Sequence, residues 1–185
     1  MALAAAGIAF FPALAIGSFL NVVAARVPLK RSVVSPASAC MECGTEIAWY
    51  DNIPVVSWLL LRGRCRGCGI RISPIYPLTE LATAGLFASA SLAFEGVWVA
   101  VVVAAFLAVL VAVTEIDVRD RIIPNRIVYP AVVVGMATVV VADRAGEGLS
   151  AIHGVIGMAA FGGGFLLIAL VSPKGMGMGD VKLAG

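Results

Sequence analysis

The chain has 185 residues, of which 61% are hydrophobic and only 13% are charged. A soluble domain is nearer half apolar and a quarter charged, so this composition excludes an ordinary soluble protein and indicates a membrane protein. The formal net charge of +2 says little until the positions of the basic residues are considered. We expect no nucleic-acid partner.

Five apolar blocks follow one another along the chain, and each is roughly long enough for a helix that crosses a hydrocarbon core of about 30 Å. The blocks are 2–25, 77–94, 96–114, 127–142 and 148–173. The fourth block is short, and a helix there would cross the core only with help from its polar flanking residues. The sequence therefore predicts an all-α, polytopic transmembrane helical bundle of about five helices plus the start of a sixth. Its predicted parts are a first transmembrane helix (1–25), a Cys-rich loop domain (26–76) and a transmembrane domain (77–185).

The basic residues predict the orientation of the bundle. Of the 13 Lys and Arg residues, 12 lie in segments on one side of the predicted helices, and only Arg144 lies on the other. Basic loops stay in the cytoplasm, so we expect the N-terminus outside and the loop domain inside, in contact with the lipid membrane. The alternative for the first block is a cleaved signal peptide. That block lacks a basic region before it, which favours a retained helix.

All four cysteines lie in the loop domain, as two CxxC pairs, Cys40/Cys43 and Cys65/Cys68. This spacing is typical of a structural zinc site with four thiolate ligands, which would supply folding energy to a segment of only ~50 residues. Disulfides or free thiols are the alternative, although a cytoplasmic location disfavours disulfides. The aromatic and basic segment 49–64 between the pairs is either an interfacial segment or a docking surface.

Two aspartates stand where apolar blocks meet polar sequence. Asp117 follows the third block, and Asp180 follows the fifth within the glycine-rich run 174–180. Both are predicted at the cytoplasmic face, where two neighbouring carboxyl groups would share a proton and act as base and acid in peptide hydrolysis. The alternatives are that Asp117 pairs with Arg119 or Arg121 and that Asp180 only caps a helix.

These residues, together with several other motifs, resemble the type IV prepilin peptidases, membrane aspartic proteases of the GxGD class. The resemblance covers nearly the whole chain. It includes 17–23 with Arg26-Val27-Pro28, 32–36, 49–58, 62–68, 72–77 with Glu80, Ile116-Asp117 with 123–125, and 177–180. By position, the resemblance makes Asp117 and Asp180 the catalytic aspartates and makes Cys40, Cys43, Cys65 and Cys68 the family's cytoplasmic cysteines.

The resemblance implies removal of the leader peptide from prepilins or pseudopilins at the cytoplasmic face of the bacterial inner membrane. The Cys-bearing loop is similar to that of the bifunctional branch, which then methylates the new N-terminus, usually phenylalanine, with S-adenosylmethionine. Its methyltransferase residues are not assigned by pattern, and Glu42, Glu46, Arg62 and Arg64 are only candidates. Relatives continue beyond the GxGD motif, so we expect the chain to be C-terminally truncated and do not expect activity from these 185 residues alone.

Two other classes of protein stay open at this stage. A transporter or channel subunit would use Asp117 and Asp180 as an ion site. A zinc-ribbon binding module anchored in the membrane would tolerate replacement of both aspartates.

Overall fold

A computed structural model of the chain describes residues 2–144, 146 and 150–171. The described residues form five long α-helices, one short α-helix and one 3₁₀ turn (Trp49–Asp51); the α-helices are α1 (Ala2–Arg26), α2 (Val56–Leu60), α3 (Ile75–Ala93), α4 (Val97–Asp120), α5 (Asn125–Arg144) and α6 (Ala151–Val171). Within the described ranges, extended pairing is limited to two isolated antiparallel bridges, Ala39–Glu46 and Arg64–Arg71. The predicted all-α class is confirmed, and a loop domain carrying the four cysteines separates α1 from α3.

The helix bounds follow the apolar blocks closely, with one instructive difference at α4. This helix continues past the uncharged block to Asp120 and ends where Arg121 adopts a left-handed conformation, with φ of 54°. The Arg121 N–H donates to the Asp117 carbonyl at 2.8 Å and closes the last turn. Charged side chains do not interrupt backbone hydrogen bonding, so Asp117 lies inside the final turns of α4 rather than after the helix.

Within the described residues, four helices are long and apolar enough to cross a membrane: α1, α4, α5 and α6. The fifth long helix, α3, is less apolar because it carries Thr79, Glu80 and Thr83. Glu80 and Thr83 are buried in the protein, and α3 packs against both α1 and α4. Polar side chains that face neighbouring helices are compatible with a crossing helix. The chain is a multi-pass membrane protein.

The tightest contact in the bundle joins α1 to α3. The buried face of α1 is formed mainly by small residues at helical spacing, Ala6, Ala13, Gly17 and Ala24. A Cβ added at Gly17 would stand only 2.6 Å from the Cα of Glu80. Close approach of backbones through small residues is a common way for membrane helices to pack, because van der Waals contact drives their association.

The remaining helices are added outside this core. Helix α4 contacts α1 and α3, α5 contacts α4, and α6 contacts α5. In α6, none of the described side chains is buried. Consequently α1, α3 and α4 form the packed core of the bundle, and α6 presents its apolar side chains outward.

Candidate functional site

The two cysteine pairs form two turns with the same hydrogen-bond pattern. In the first, Cys40 N–H donates to the Thr45 carbonyl and Gly44 N–H donates to the Cys40 carbonyl, both at 2.9 Å. In the second, the Cys65 N–H donates to the Ile70 carbonyl and the Gly69 N–H donates to the Cys65 carbonyl, also at 2.9 Å. Gly44 and Gly69 have φ of 68° and 72°, a conformation that suits glycine because it has no Cβ. The CxxCG spacing therefore encodes two equivalent turns, which we call the first and second knuckles.

These two turns bring all four sulfur atoms together. The Sγ atoms of Cys40 and Cys68 are 3.8 Å apart, those of Cys43 and Cys65 are 4.0 Å apart, and all four lie within 4.8 Å of one another. A tetrahedral Zn²⁺ site with Zn–S bonds of ~2.3 Å needs sulfur atoms roughly 3.8 Å apart. All four cysteines are free, and the separations are far longer than a disulfide bond of ~2.05 Å. The arrangement fits a four-thiolate metal site and could hold a metal ion.

The crowded thiols differ strongly in acidity without a metal. The hydrogen bond with the Thr45 side chain lowers the pKa of Cys43 to about 6, and backbone N–H groups lower the pKa of Cys65. The Ile70 N–H acts in the same direction on Cys68, yet lost hydration and the neighbouring thiols raise its pKa to about 12. Negative charge on one sulfur opposes charge on the next, whereas a bound cation stabilises four thiolates at once.

The segment between the knuckles is folded back on itself around two side chains. Ser57 is buried; its hydroxyl donates to the Tyr50 carbonyl at 2.8 Å and accepts the Ile53 N–H at 3.0 Å. The Trp58 indole N–H donates to the Ile72 carbonyl at 3.2 Å, and its ring lies against Gly63. Trp58 therefore has a structural role, whereas Trp49, 80% exposed, is free to contact lipid or a ligand.

The loop domain is attached to the bundle through Glu80. The Val55 N–H donates to Glu80 Oε2 at 2.7 Å, and Val55 has a φ of 61°, which is unfavourable for a β-branched residue. On the other side, the Asn21 amide donates to the carbonyls of Gly17 and Tyr76, both at 3.2 Å. The Val55–Glu80 bond attaches the loop domain to α3, and the Asn21–Tyr76 bond joins α1 to the N-terminal end of α3.

A cavity of about 570 Å³ lies between the loop domain and these helix ends. Of the four methyltransferase candidates, Glu42 and Glu46 line the cavity, whereas Arg62 and Arg64 are exposed elsewhere on the loop domain. The sequence analysis did not assign a role to Glu80, Asn21 or Asp51, which also line it. Glu80 could have been singled out from the sequence, because an acidic residue within an apolar segment often marks a functional site.

Asp117 lies at the same end of the bundle as the cavity. Thr79, near the start of α3, donates to Glu115 Oε2 at 3.4 Å near the end of α4. The Asp117 side chain is exposed, and it has no ion pair or side-chain hydrogen bond with any described residue. Arg119 instead pairs with Glu115 at 3.7 Å. Asp180 lies outside the described residues, so its geometry relative to Asp117 stays a prediction.

These features define the class: a multi-pass helical membrane protein with a four-cysteine loop domain attached at the end of the bundle that carries an exposed aspartate. Two family models match the chain. The Bacterial Peptidase A24 N-terminal domain matches residues 11–94, and the Type IV leader peptidase family matches residues 104–185.

Curated relatives agree with both family models. The chain is 46% identical over 128 residues to a prepilin leader peptidase/N-methyltransferase of Myxococcus xanthus, an alignment that covers 69% of this chain and 38% of that protein. It is 35% identical over 180 residues to the Bacillus subtilis protein of the same name, covering 95% of this chain and 69% of that protein. For the Klebsiella pneumoniae protein the identity is 34%, covering 94% and 79%. No solved structure matches the chain.

The chain belongs to the prepilin leader peptidase/N-methyltransferase family. The comparisons give no support to the transporter alternative. The resemblance carried by the ordered sequence motifs is confirmed.

Proposed function

We propose that the protein is an aspartic endopeptidase that removes leader peptides from prepilins or pseudopilins at the cytoplasmic face of the inner membrane. Asp117 and Asp180 act as the catalytic pair. One carboxylate activates the attacking water, while the other carboxyl group protonates the developing oxyanion and the leaving amine. The observation that carries this proposal is the match of both family models, which together span residues 11–94 and 104–185 and include both aspartates.

The environment of Asp117 supports its assignment. Its side chain is exposed and has no basic partner within the described part of the chain, so it is accessible to a substrate. The neighbouring carboxyl group, Glu115, is buried and paired, which makes it unsuited to that role.

We further propose that the protein methylates the amine exposed by cleavage, with S-adenosylmethionine as methyl donor. The relatives' names join the two activities, and the cavity beside the loop domain has a volume typical of small-molecule sites. Because the cavity and Asp117 lie at one end of the bundle, a cleaved substrate reaches the second site without crossing the membrane.

We also propose that Cys40, Cys43, Cys65 and Cys68 hold a structural Zn²⁺ ion. Four thiolates fill the coordination shell of zinc, so the metal has no open position for chemistry. Its contribution is to fix the loop domain that forms one wall of the cavity, because Cys40 and Cys65 both line it.

The test is co-expression of the protein with a prepilin, followed by mass measurement of the pilin N-terminus. Wild type should yield a shortened, methylated pilin. Asp117→Asn and Asp180→Asn should each abolish shortening, whereas the matched variant Asp120→Asn, exposed on the same final turn of α4, should retain it. Asp117→Asn should still methylate a precleaved pilin. Cleavage by both catalytic-site variants at the wild-type rate would overturn the assignment.

A further inference from the structure

Glu80 differs from the other shielded carboxyl groups in lacking a cationic partner. Glu115 is paired with Arg119, and the half-buried Asp51 is paired with Arg66 at 2.6 Å. Glu80 is only 7% exposed, and within the described residues it forms no ion pair. An unpaired carboxylate removed from water costs several kcal/mol, so a cation at this position would be strongly stabilising.

Glu80 is also the buried carboxylate that reaches the cavity. It lines the cavity together with Ser18, Asn21, Tyr76 and Pro77. Val55 N–H holds Oε2 from the loop-domain side at 2.7 Å, which fixes the carboxylate in place. Arg26, Arg66 and Arg71 also line the cavity, but within the described residues none of them pairs with Glu80, so a cationic group of a ligand can take that place.

Asn21 also lines the cavity and carries a second acceptor. Its residue exposure is 3%, and its Oδ1 has no hydrogen-bond partner among the described residues. Both carbonyls that Asn21 contacts, those of Gly17 and Tyr76, require its nitrogen as donor, and this fixes the amide orientation. Gly17 also contacts the backbone of Glu80, so the two acceptor-bearing residues meet around this glycine.

We propose that Glu80 and Asn21 form a binding site for an aliphatic ammonium group in this cavity. An ammonium group carries three N–H donors and a positive charge, and thus complements a carboxylate and an unpartnered amide oxygen whose residues line one cavity. A metal ion is a poorer match because hard cations require six or more oxygen ligands.

The inference deepens the proposed methyl transfer and rests on it. The acceptor in that reaction is a peptide α-amine, which is largely protonated near neutral pH because its usual pKa is about 7.7–8.0. Glu80 binds this ammonium group and receives the proton that nitrogen must lose. The nitrogen lone pair then forms the N–C bond to the sulfonium methyl carbon, and the C–S bond breaks with its electron pair kept by sulfur.

The ammonium could be that of the peptide or that of the methyl donor's amino-acid end, and binding measurements separate the two. The full chain is placed in nanodiscs of phosphatidylglycerol, a lipid without an amine. The probes are a hexapeptide with a free N-terminal phenylalanine, the same peptide acetylated at its N-terminus, and S-adenosylhomocysteine. Affinities are measured by calorimetry for wild type, Glu80→Gln and Glu115→Gln.

Glutamine at position 80 keeps an oxygen for the Val55 N–H but removes the charge, so Glu80→Gln should fold. We expect it to weaken binding of the free-amine peptide about tenfold or more, as loss of one member of a buried charge pair does. Acetylation should weaken wild-type binding similarly and have no further effect on Glu80→Gln. The matched variant Glu115→Gln, which removes a buried carboxylate outside the cavity lining, should bind like wild type.

A Glu80-dependent affinity for S-adenosylhomocysteine, with none for the peptide, would support the ammonium site and assign it to the methyl donor. Equal affinities of wild type and Glu80→Gln for both ligands would overturn the inference, and so would methylation of precleaved pilin by Glu80→Gln at the wild-type rate. Neither result would alter the proposed function, because cleavage and methylation are measured separately on wild type.

Discussion

Arg119 forms its ion pair with Glu115, four residues earlier on α4, and not with Asp117, two residues earlier. Residues four apart lie on the same face of a helix, whereas residues two apart point to different sides. Because α4 continues to Asp120, this geometry applies to all three residues. The structure therefore contradicts the alternative in which Asp117 pairs with Arg119.

The first prediction tests whether Asp117 is independent of the Arg119–Glu115 ion pair. Arg119→Gln should lower the stability of the protein only slightly, by ~0.3–0.5 kcal/mol, because Arg119 is 41% exposed and solvent screens the pair. Prepilin cleavage should stay within about twofold of wild type, since the pair does not include Asp117. Arg121→Gln, at the left-handed end of α4, provides the matched comparison. Its cleavage rate should also stay within about twofold of wild type. A large loss of cleavage in Arg119→Gln would mean that this arginine does act on Asp117.

The second prediction tests the close contact of α1 with α3. Gly17→Ala places a Cβ 2.6 Å from the Cα of Glu80, a backbone atom that cannot rotate away. The two helices must separate, which we expect to destabilise the protein by ~1–3 kcal/mol, as overpacking does. Thermal unfolding in detergent measures the effect. The same substitution should also weaken ligand binding in the cavity, because Gly17 positions both Asn21 and Glu80.

Gly7→Ala is the matched control, because Gly7 lies on the same helix and a Cβ there meets no atom within 4 Å. Alanine favours helix over glycine by up to ~1 kcal/mol, so this variant should be unchanged or slightly more stable. If both variants lost the same stability, the loss would reflect general perturbation of α1 and not its contact with α3.

The third prediction concerns the four cysteines. The purified chain should contain about one Zn²⁺, and a serine substitution at any of the four positions should lower this content, measured by elemental mass spectrometry. Because Cys40 and Cys65 line the cavity, the Cys40→Ser variant should lose methylation of precleaved pilin. Cleavage should persist, since Asp117 belongs to α4 and not to the loop domain.

Glu42→Gln is the control for the metal content, because residue 42 lies between two of the cysteines but offers no thiol. It should keep the full zinc content. Full zinc content in a double Cys40→Ser, Cys65→Ser variant would refute the metal assignment.

Much of this architecture was predictable from the sequence, and the failures have identifiable causes. Long apolar blocks specify helices because the bilayer leaves backbone groups no other partner, and the CxxCG repeats encode two local turns. The uncharged block 96–114 does not mark the end of α4, because a helix continues through charged residues, and the Arg119–Glu115 pair depends on that extension. The cavity depends on contacts between residues far apart in sequence, such as Asn21 with Tyr76, which periodicity does not encode. The sequence shows Glu80 as an acid within an apolar block, but only the three-dimensional structure shows that it forms no ion pair with another described residue.

The last prediction concerns how the loop domain responds to pH. The Asp51 carboxylate accepts two hydrogen bonds from Arg66, at 2.6 and 2.7 Å, and the guanidinium lies 5.7 Å from the centre of the Tyr50 ring. The hydrogen bonds from Arg66, with the attraction of its charge, lower the pKa of Asp51. A carboxyl group whose pKa is lowered by folding stabilises the folded state above its ordinary pKa of ~3.9, and this contribution is lost as the pH falls through the lowered value.

Asp51→Asn should therefore lower the melting temperature of the zinc-loaded protein at pH 7, and the difference from wild type should shrink only at acidic pH, below about 4. Arg66→Gln in the Asp51→Asn background should add little, because the two residues act as one pair. Melting temperatures are measured from pH 7 downwards in excess zinc, and bound zinc is quantified at each pH, because protonation of the thiolates weakens metal binding. A difference that instead closed between pH 7 and 5 would show that some group other than Asp51 controls the attachment of the 3₁₀ turn to the second knuckle.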